Sequence, residues 1–238
     1  KTYFCAASLN NDNIIHILES MMKISDIKSI SDIDKSVFEY MDKKKYEKVV
    51  YCSDESTKLK AIIAIHNTNL GPALGGTRMW KYNNISEATK DVLRLSRGMT
   101  YKAAITGLNL GGGKAVIISE TKEKTDDMMC AFGRFVESQK GKYITAEDVG
   151  MTTHDMEMIH KETKHVVGKP IKLGGSGDPS IVTAYGVLMG IKGSAKFKWG
   201  TDSLTNKKVL IQGVGNVGKK LMKLLIDENA EVFVNDVN

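Results

Sequence analysis

Apolar residues along this chain follow two rhythms. VVYC (residues 49–52) and LKAIIAI (59–65) are short runs rich in β-branched side chains, and each predicts a strand. Beyond Ser86, which is placed to cap a helix, Ala88, Val92, Leu95 and Met99 recur at spacings of four, three and four and form one apolar stripe. Three residues further the same stripe reaches Lys102. KAVIIS (114–119) predicts a strand, and MMCAFGRFVESQ (128–139) a helix. KYITAEDVG (142–150) predicts a strand running into a loop, with a helix after it around residues 153–159. GPALGG (71–76) reads as a break in the sheet, and a short helix is expected from Asp34. Strands alternating with helices are the mark of an α/β layer.

The segment GKPIKLGGSGDPS (168–180) is rich in Gly, Pro and Ser and suits a hinge, with a helix starting near Pro179. Beyond it the chain reads strand, glycine turn, helix, strand. GVGNVG follows the strand VLIQ directly, and the second strand ends at Asp236, eighteen residues past Gly218. In a dinucleotide fingerprint Gly213 permits the tight turn, Gly215 lets backbone amides approach a pyrophosphate, and Gly218 lets the helix lie close to the strand. Asn216 and Val217 complete the turn, where the helix N-terminus faces the phosphates. An ordinary glycine-rich turn is the alternative; the ordered strand, helix, strand and acid favour the cofactor. Asp236 would accept bonds from a ribose 2′-hydroxyl and repel a 2′-phosphate, which favours NAD over NADP. The sequence stops two residues after Asp236, whereas a doubly wound domain uses about six strands, so a truncated chain is expected, inactive on its own.

Composition narrows the class. With 42% hydrophobic and 26% charged residues the chain has the make-up of a soluble globular protein able to bury a core. No apolar run approaches the roughly 20 residues that cross a bilayer, and the start lacks the apolar middle of a secretory signal, so a cytoplasmic protein without membrane partners is expected. The adjacent Met21 and Met22 suggest a natural start there. A net charge of +6 raises nucleic acid as a partner, but acidic residues accompany the lysines, and the cluster Lys43, Lys44, Lys45 and Lys48 reads as a solvated turn before a strand. Cys5, Cys52 and Cys130 form no Cys-x-x-Cys pair and read as buried or spare thiols. His154, His160 and His165 match no zinc spacing and read as surface histidines, so no metal is expected.

GLNLGGGKA (107–115) is not a phosphate-binding P-loop, because Leu108 stands where the first glycine belongs and Ala115 where a magnesium-binding hydroxyl is needed. Lys102 reads either as a cation complementing a helix C-terminus or as a group facing a cleft. Lys114 reads either as a strand-end lysine reaching water or as a second group in that cleft. Two lysines on apolar elements call for a shared anionic partner to offset desolvation. Asp148 is the candidate third member; its alternative role, capping the next helix, falls equally to Thr152 or Thr153.

GPALGGTRMW (71–80), GMTYK (98–102), GLNLGGGK (107–114), YITAEDVG (143–150), GSGDPS with TAYGV (175–187) and QGVGNVG (212–218) resemble, in this order, the Glu/Leu/Phe/Val amino-acid dehydrogenases, the leucine-acting members most closely. The resemblance runs from about residue 38 to the end. It implies an α/β substrate-binding and dimerisation domain over residues 25–170, then a hinge and the first part of an NAD-binding Rossmann-type domain over 171–238, with 1–24 an unassigned extension. The implied reaction is reversible oxidative deamination of a branched-chain L-amino acid, leucine before valine and isoleucine, to the 2-oxo acid and ammonia. A phenylalanine or valine dehydrogenase of the same family, or an inactive ligand-binding or oligomerisation fragment, are the alternatives. Lys102 then pairs with the substrate carboxylate, Lys114 activates water, Asp148 relays protons, and Thr183 contacts the nicotinamide carboxamide. A lysine becomes a useful base near neutrality when burial and a neighbouring cation lower its pKa to about 7 to 8. Glutamate-acting relatives carry a lysine in the segment matching GPALGG. Here that position is Leu74, and Leu74, Gly75 and Met99 suggest an apolar pocket. Ile181 stands where the family often has a second proline, and a homo-oligomer is implied.

Overall fold

The computed structural model describes residues 3–5 and 37–237. Along them run β1 (Tyr3–Cys5), α1 (Val37–Lys44), β2 (Lys48–Asp54), β3 (Leu59–Asn67), β4 (Ala73–Leu74), β5 (Thr77–Trp80), α2 (Ile85–Ile105) and β6 (Gly111–Ile118). There follow α3 (Asp126–Glu137), β7 (Tyr143–Ile144), α4 (Thr153–His160), α5 (Ser180–Trp199), β8 (Lys208–Gln212), α6 (Asn216–Asp227) and β9 (Glu231–Asn235). Two compact units divide between Gly177 and Asp178, inside the Gly, Pro and Ser-rich segment. The proposed start at Met21 and Met22 and most of the 1–24 extension lie outside the described residues.

The unit ending at Gly177 is a mixed sheet in the order β2-β3-β6-β4-β7, with β5 pairing further along β6. β2, β3 and β6 are antiparallel neighbours, while β4 and β5 run parallel to β6. Alternation along β3 and β6 divides the core. Ile62, Ala64 and Val116 pack on Ala88, Val92 and Leu93 of α2. Ala61, Ile63, Ala115 and Ile117 pack on Met129 and Phe132 of α3 and Met156 and Ile159 of α4.

Glycines extend β6 beyond the KAVIIS strand expected from sequence. A Cβ at Gly112 would collide with the Thr100 backbone and hydroxyl and lie 2.6 Å from the Ser96 carbonyl; one at Gly113 would lie 2.7 Å from the Tyr143 ring. Only a strand without side chains there lets α2 and Tyr143 close on it from both faces. The expected break at GPALGG is instead a strand interrupted at Gly75 and Gly76, with β4 and β5 pairing the same partner.

Three other expectations change. The cap of α2 is Asn84, whose side chain accepts from the Glu87 amide at 2.8 Å, rather than Ser86. The buried line of that helix is Ala88, Thr89, Val92, Leu93, Ser96 and Ala103. Leu95 and Met99 are half-buried and Lys102 is exposed, because small Ser96 and Thr100 settle on Gly112 and turn the larger side chains outward. α3 begins two residues early, at a cap supplied by Thr125.

The unit containing Asp178–Asn238 pairs β8 in parallel with β9 through α6, with β1 antiparallel on the other side of β8. Its core is Ala184, Leu188, Ala195, Leu204, Ile211, Leu221 and Leu225. Among the described residues no helix is long and apolar enough to cross a membrane.

Candidate active site

Lys114 shares the α2 face of β6 with Gly112 and Val116, and only 5% of it reaches solvent. Its Nζ lies 3.0 Å from Oδ1 of Asp148 in the irregular backbone after β7. Bonds from the Thr77 and Met79 amides to the Ala146 and Val149 carbonyls, both 2.8 Å, hold that backbone along β5. Gly76 lets it come close, since a Cβ there would collide with the Glu147 carbonyl. The second Asp148 oxygen, Oδ2, accepts from Arg78 Nε at 2.9 Å. Arg78 Nη1 reaches Asp91 Oδ2 at 2.8 Å, and the Tyr82 hydroxyl donates to that same oxygen at 2.8 Å.

Two cations and two carboxylates therefore lie together beneath α2. Burial holds Lys114 below the usual lysine range despite the opposing pull of Asp148, and Arg78 pushes it the same way as burial. Burial alone would raise Asp148, but Lys114 and then Arg78 outweigh it and keep the carboxyl below its usual range. A lysine poised to lose its proton beside a carboxylate that stays ionised can accept a proton from water and pass it on.

Lys102, at the C-terminal end of α2, lines a cavity of about 320 Å³ with Leu74, Met99, Ala103, Thr106, Leu108, Leu110 and Gly111. Leu74 pairs with Gly112, two residues from Lys114 on the same sheet face, so the cavity wall and the buried amine share one strand. Gly75 does not line this space: its bare side is closed by the Gly113 carbonyl. The cation that acts on the buried lysine is Arg78, where the sequence suggested Lys102. No sequence motif marks Arg78, Asp91 or Tyr82 as part of the site. Arg78 comes to the same face as Lys114 only through the pairing of β5 with β6, which sets it opposite Val116.

In the other unit Gly213 has φ 97°, and Gly215 caps α6. A Cβ at Gly218 would collide with the Gly213 carbonyl, whereas nothing lies within 4 Å of one at Gly215. That open approach beside a helix N-terminus, with exposed Asn216 and half-buried Val217 on its first turn, fits a dinucleotide pyrophosphate. Asp236 accepts from the Val214 amide at 2.6 Å, which brings the acid to the glycine turn. Thr183 is exposed on the first turn of α5, its hydroxyl donating to the Pro179 carbonyl at 2.8 Å. His154 pairs with Asp126 at 2.9 Å, and among the described residues no three His, Cys, Asp or Glu are grouped to hold a metal.

Residues 46–165 match the family described as Glu/Leu/Phe/Val dehydrogenase, dimerisation domain, and residues 174–237 match Glutamate/Leucine/Phenylalanine/Valine dehydrogenase. Over 203 residues the chain is 56% identical to leucine dehydrogenase of Bacillus subtilis, covering 85% of this chain and 56% of that protein. It is 50% identical over 194 residues to phenylalanine dehydrogenase of Caldalkalibacillus thermarum, covering 81% and 52%. The crystal structure of L-tryptophan dehydrogenase from Nostoc punctiforme superposes with a TM-score of 0.65 at 45% identity, covering 85% of this chain and 57% of that one. The chain thus spans about half the length of the curated relatives it matches.

Proposed function

The chain belongs to the Glu/Leu/Phe/Val dehydrogenase family, and from that premise we propose that it serves the NAD-dependent, reversible oxidative deamination of a branched-chain L-amino acid, leucine first, to the 2-oxo acid and ammonia. The observation that carries this reading is the buried Lys114 amine 3.0 Å from an ionised Asp148. Lys102 pairs with the substrate carboxylate at the mouth of the apolar cavity, and the aliphatic side chain lies against Leu74 and Met99. Lys114, in its neutral form, takes a proton from the water that attacks the substrate's iminium carbon, and Asp148 holds the amino group and carries protons onward. NAD, once bound at Gly213, Gly215, Asn216, Val217, Gly218, Asp236 and Thr183, supplies the hydride acceptor. Gly75 acts through backbone approach and leaves the contact with substrate to Leu74. The match to a dimerisation domain over residues 46–165 supports a homo-oligomer built through the first unit.

A buried carboxylate beside Leu74 would lack a partner, which disfavours glutamate, whereas leucine, valine and isoleucine differ by a methylene or its placement, about 1–3 kcal/mol. The test is NADH formation by the full-length protein with leucine, valine, phenylalanine and glutamate at equal concentration. Leucine should give the highest kcat/KM and glutamate the lowest. A glutamate preference would overturn the argument from Leu74, and no oxidation of any of the four would remove the activity altogether.

A further inference from the structure

We propose that Arg78 is the positioning residue of this site: anchored at one end by Asp91, its guanidinium fixes the carboxylate of Asp148 so that one chosen oxygen faces Lys114. The inference rests on the dehydrogenase reading above and names a residue which that reading leaves unused. A carboxylate facing one ammonium group can rotate to offer either oxygen. Here Oδ2 is taken by Arg78 Nε at 2.9 Å from β5, which leaves Oδ1 for Lys114 Nζ at 3.0 Å from β6. Two cations on two different strands set the plane of the acid between them. Arg78 is itself held at a second point by Asp91 of α2 at 2.8 Å, whose Oδ2 also accepts from Tyr82 at 2.8 Å. A planar guanidinium can bridge two carboxylates in this way; a lysine ammonium is a single point and is not pre-shaped for both.

Arg78 keeps its proton and its charge throughout the working pH range, so it relays no proton, and its part is orientation and field. The charged groups acting on Lys114 are Asp148 from the loop, Arg78 from β5 and Asp91 from α2, with Arg78 opposing the protonated amine and both acids favouring it. Removing Arg78 and removing Asp91 therefore push the proton equilibrium of Lys114 in opposite directions.

Full-length Arg78→Gln, Arg78→Lys and Asp91→Asn proteins are to be compared with wild type in two measurements. One is kcat and KM for leucine across pH. The other is the pH dependence of acetic anhydride labelling at Lys114, read by mass spectrometry, which needs neither substrate nor turnover. In Arg78→Gln, kcat should fall at least about tenfold with KM unchanged, as expected when a catalytic group is misplaced. Its pH curves, both for kcat and for labelling, should move up by about one pH unit. In Asp91→Asn both curves should move down, and Arg78→Lys should restore the position of the curves but not the rate. Folded Arg78→Gln and Asp91→Asn proteins whose curves coincide with wild type would overturn the proposal. If Arg78→Gln does not fold, Asp91→Asn decides. A wild-type protein that oxidises no amino acid sinks the dehydrogenase reading, while the labelling curves still decide the place of Arg78. Normal turnover with unmoved curves leaves the activity standing and removes Arg78.

Discussion

A lysine in water keeps its proton to about pH 10.4, and Lys114 departs from that value because burial and Arg78 disfavour its charge more than Asp148 and Asp91 favour it. The sign has two consequences. The reactive neutral form gains population as pH rises, so kcat should climb and level off below the ordinary lysine value. Between the lowered value and about 10.4 the folded protein binds fewer protons here than the unfolded chain, so this group adds stability as pH rises through that window. Lys114→Ala should lower turnover by about 10²–10⁴-fold, the usual worth of a positioned base, and leave NAD affinity at its wild-type value, measured by fluorescence titration. Near-normal turnover would take Lys114 out of the mechanism. Lys114 and Asp148 are legible in sequence because each sits where bare or irregular backbone meets a strand. Arg78 is not, since its partners stand 13 and 70 residues away and nothing local marks them.

Among the elements, the contact that positions the site is α2 against β6, and it depends on small residues. Gly112 admits Ser96 and Thr100, and this close packing brings α2, with Asp91 on it, down over the strand that holds Lys114. An apolar-spacing argument weighs large side chains, so it follows Leu95 and Met99 and carries Lys102 along with them. The helix turns its Ser96 line inward instead, because a strand without Cβ atoms offers its closest approach to small partners. Gly112→Ala should therefore lower stability by about 1–3 kcal/mol through overpacking, read as a lower urea midpoint. An unchanged midpoint would show that α2 does not rest on that glycine. Ala115, which faces α3 and α4, offers no such contact with α2.

For the whole molecule, each of the two units has a buried core of its own, and exposed Lys172 stands in a single short turn just before their boundary at Gly177 and Asp178. Among the described residues, brief trypsin treatment should cut first at Lys172, as seen on a gel and by mass spectrometry. First cleavage inside β3 or β6 would contradict that picture. The sequence alone determined the alternating α/β pattern, the Gly, Pro and Ser-rich segment within which the two units divide, the glycine turn with Asp236, and the identity of Lys102, Lys114 and Asp148 as candidates. Each of these is a local matter of side-chain period, backbone freedom or spacing within one stretch of chain. Tertiary structure alone decided that Lys114 is buried while Lys102 is exposed, that Gly75 is closed off by Gly113, and that Arg78 links Asp148 to Asp91. Those outcomes depend on how tightly distant segments approach across the sheet, and the free-energy cost of burying a charge is set only once its partners have arrived.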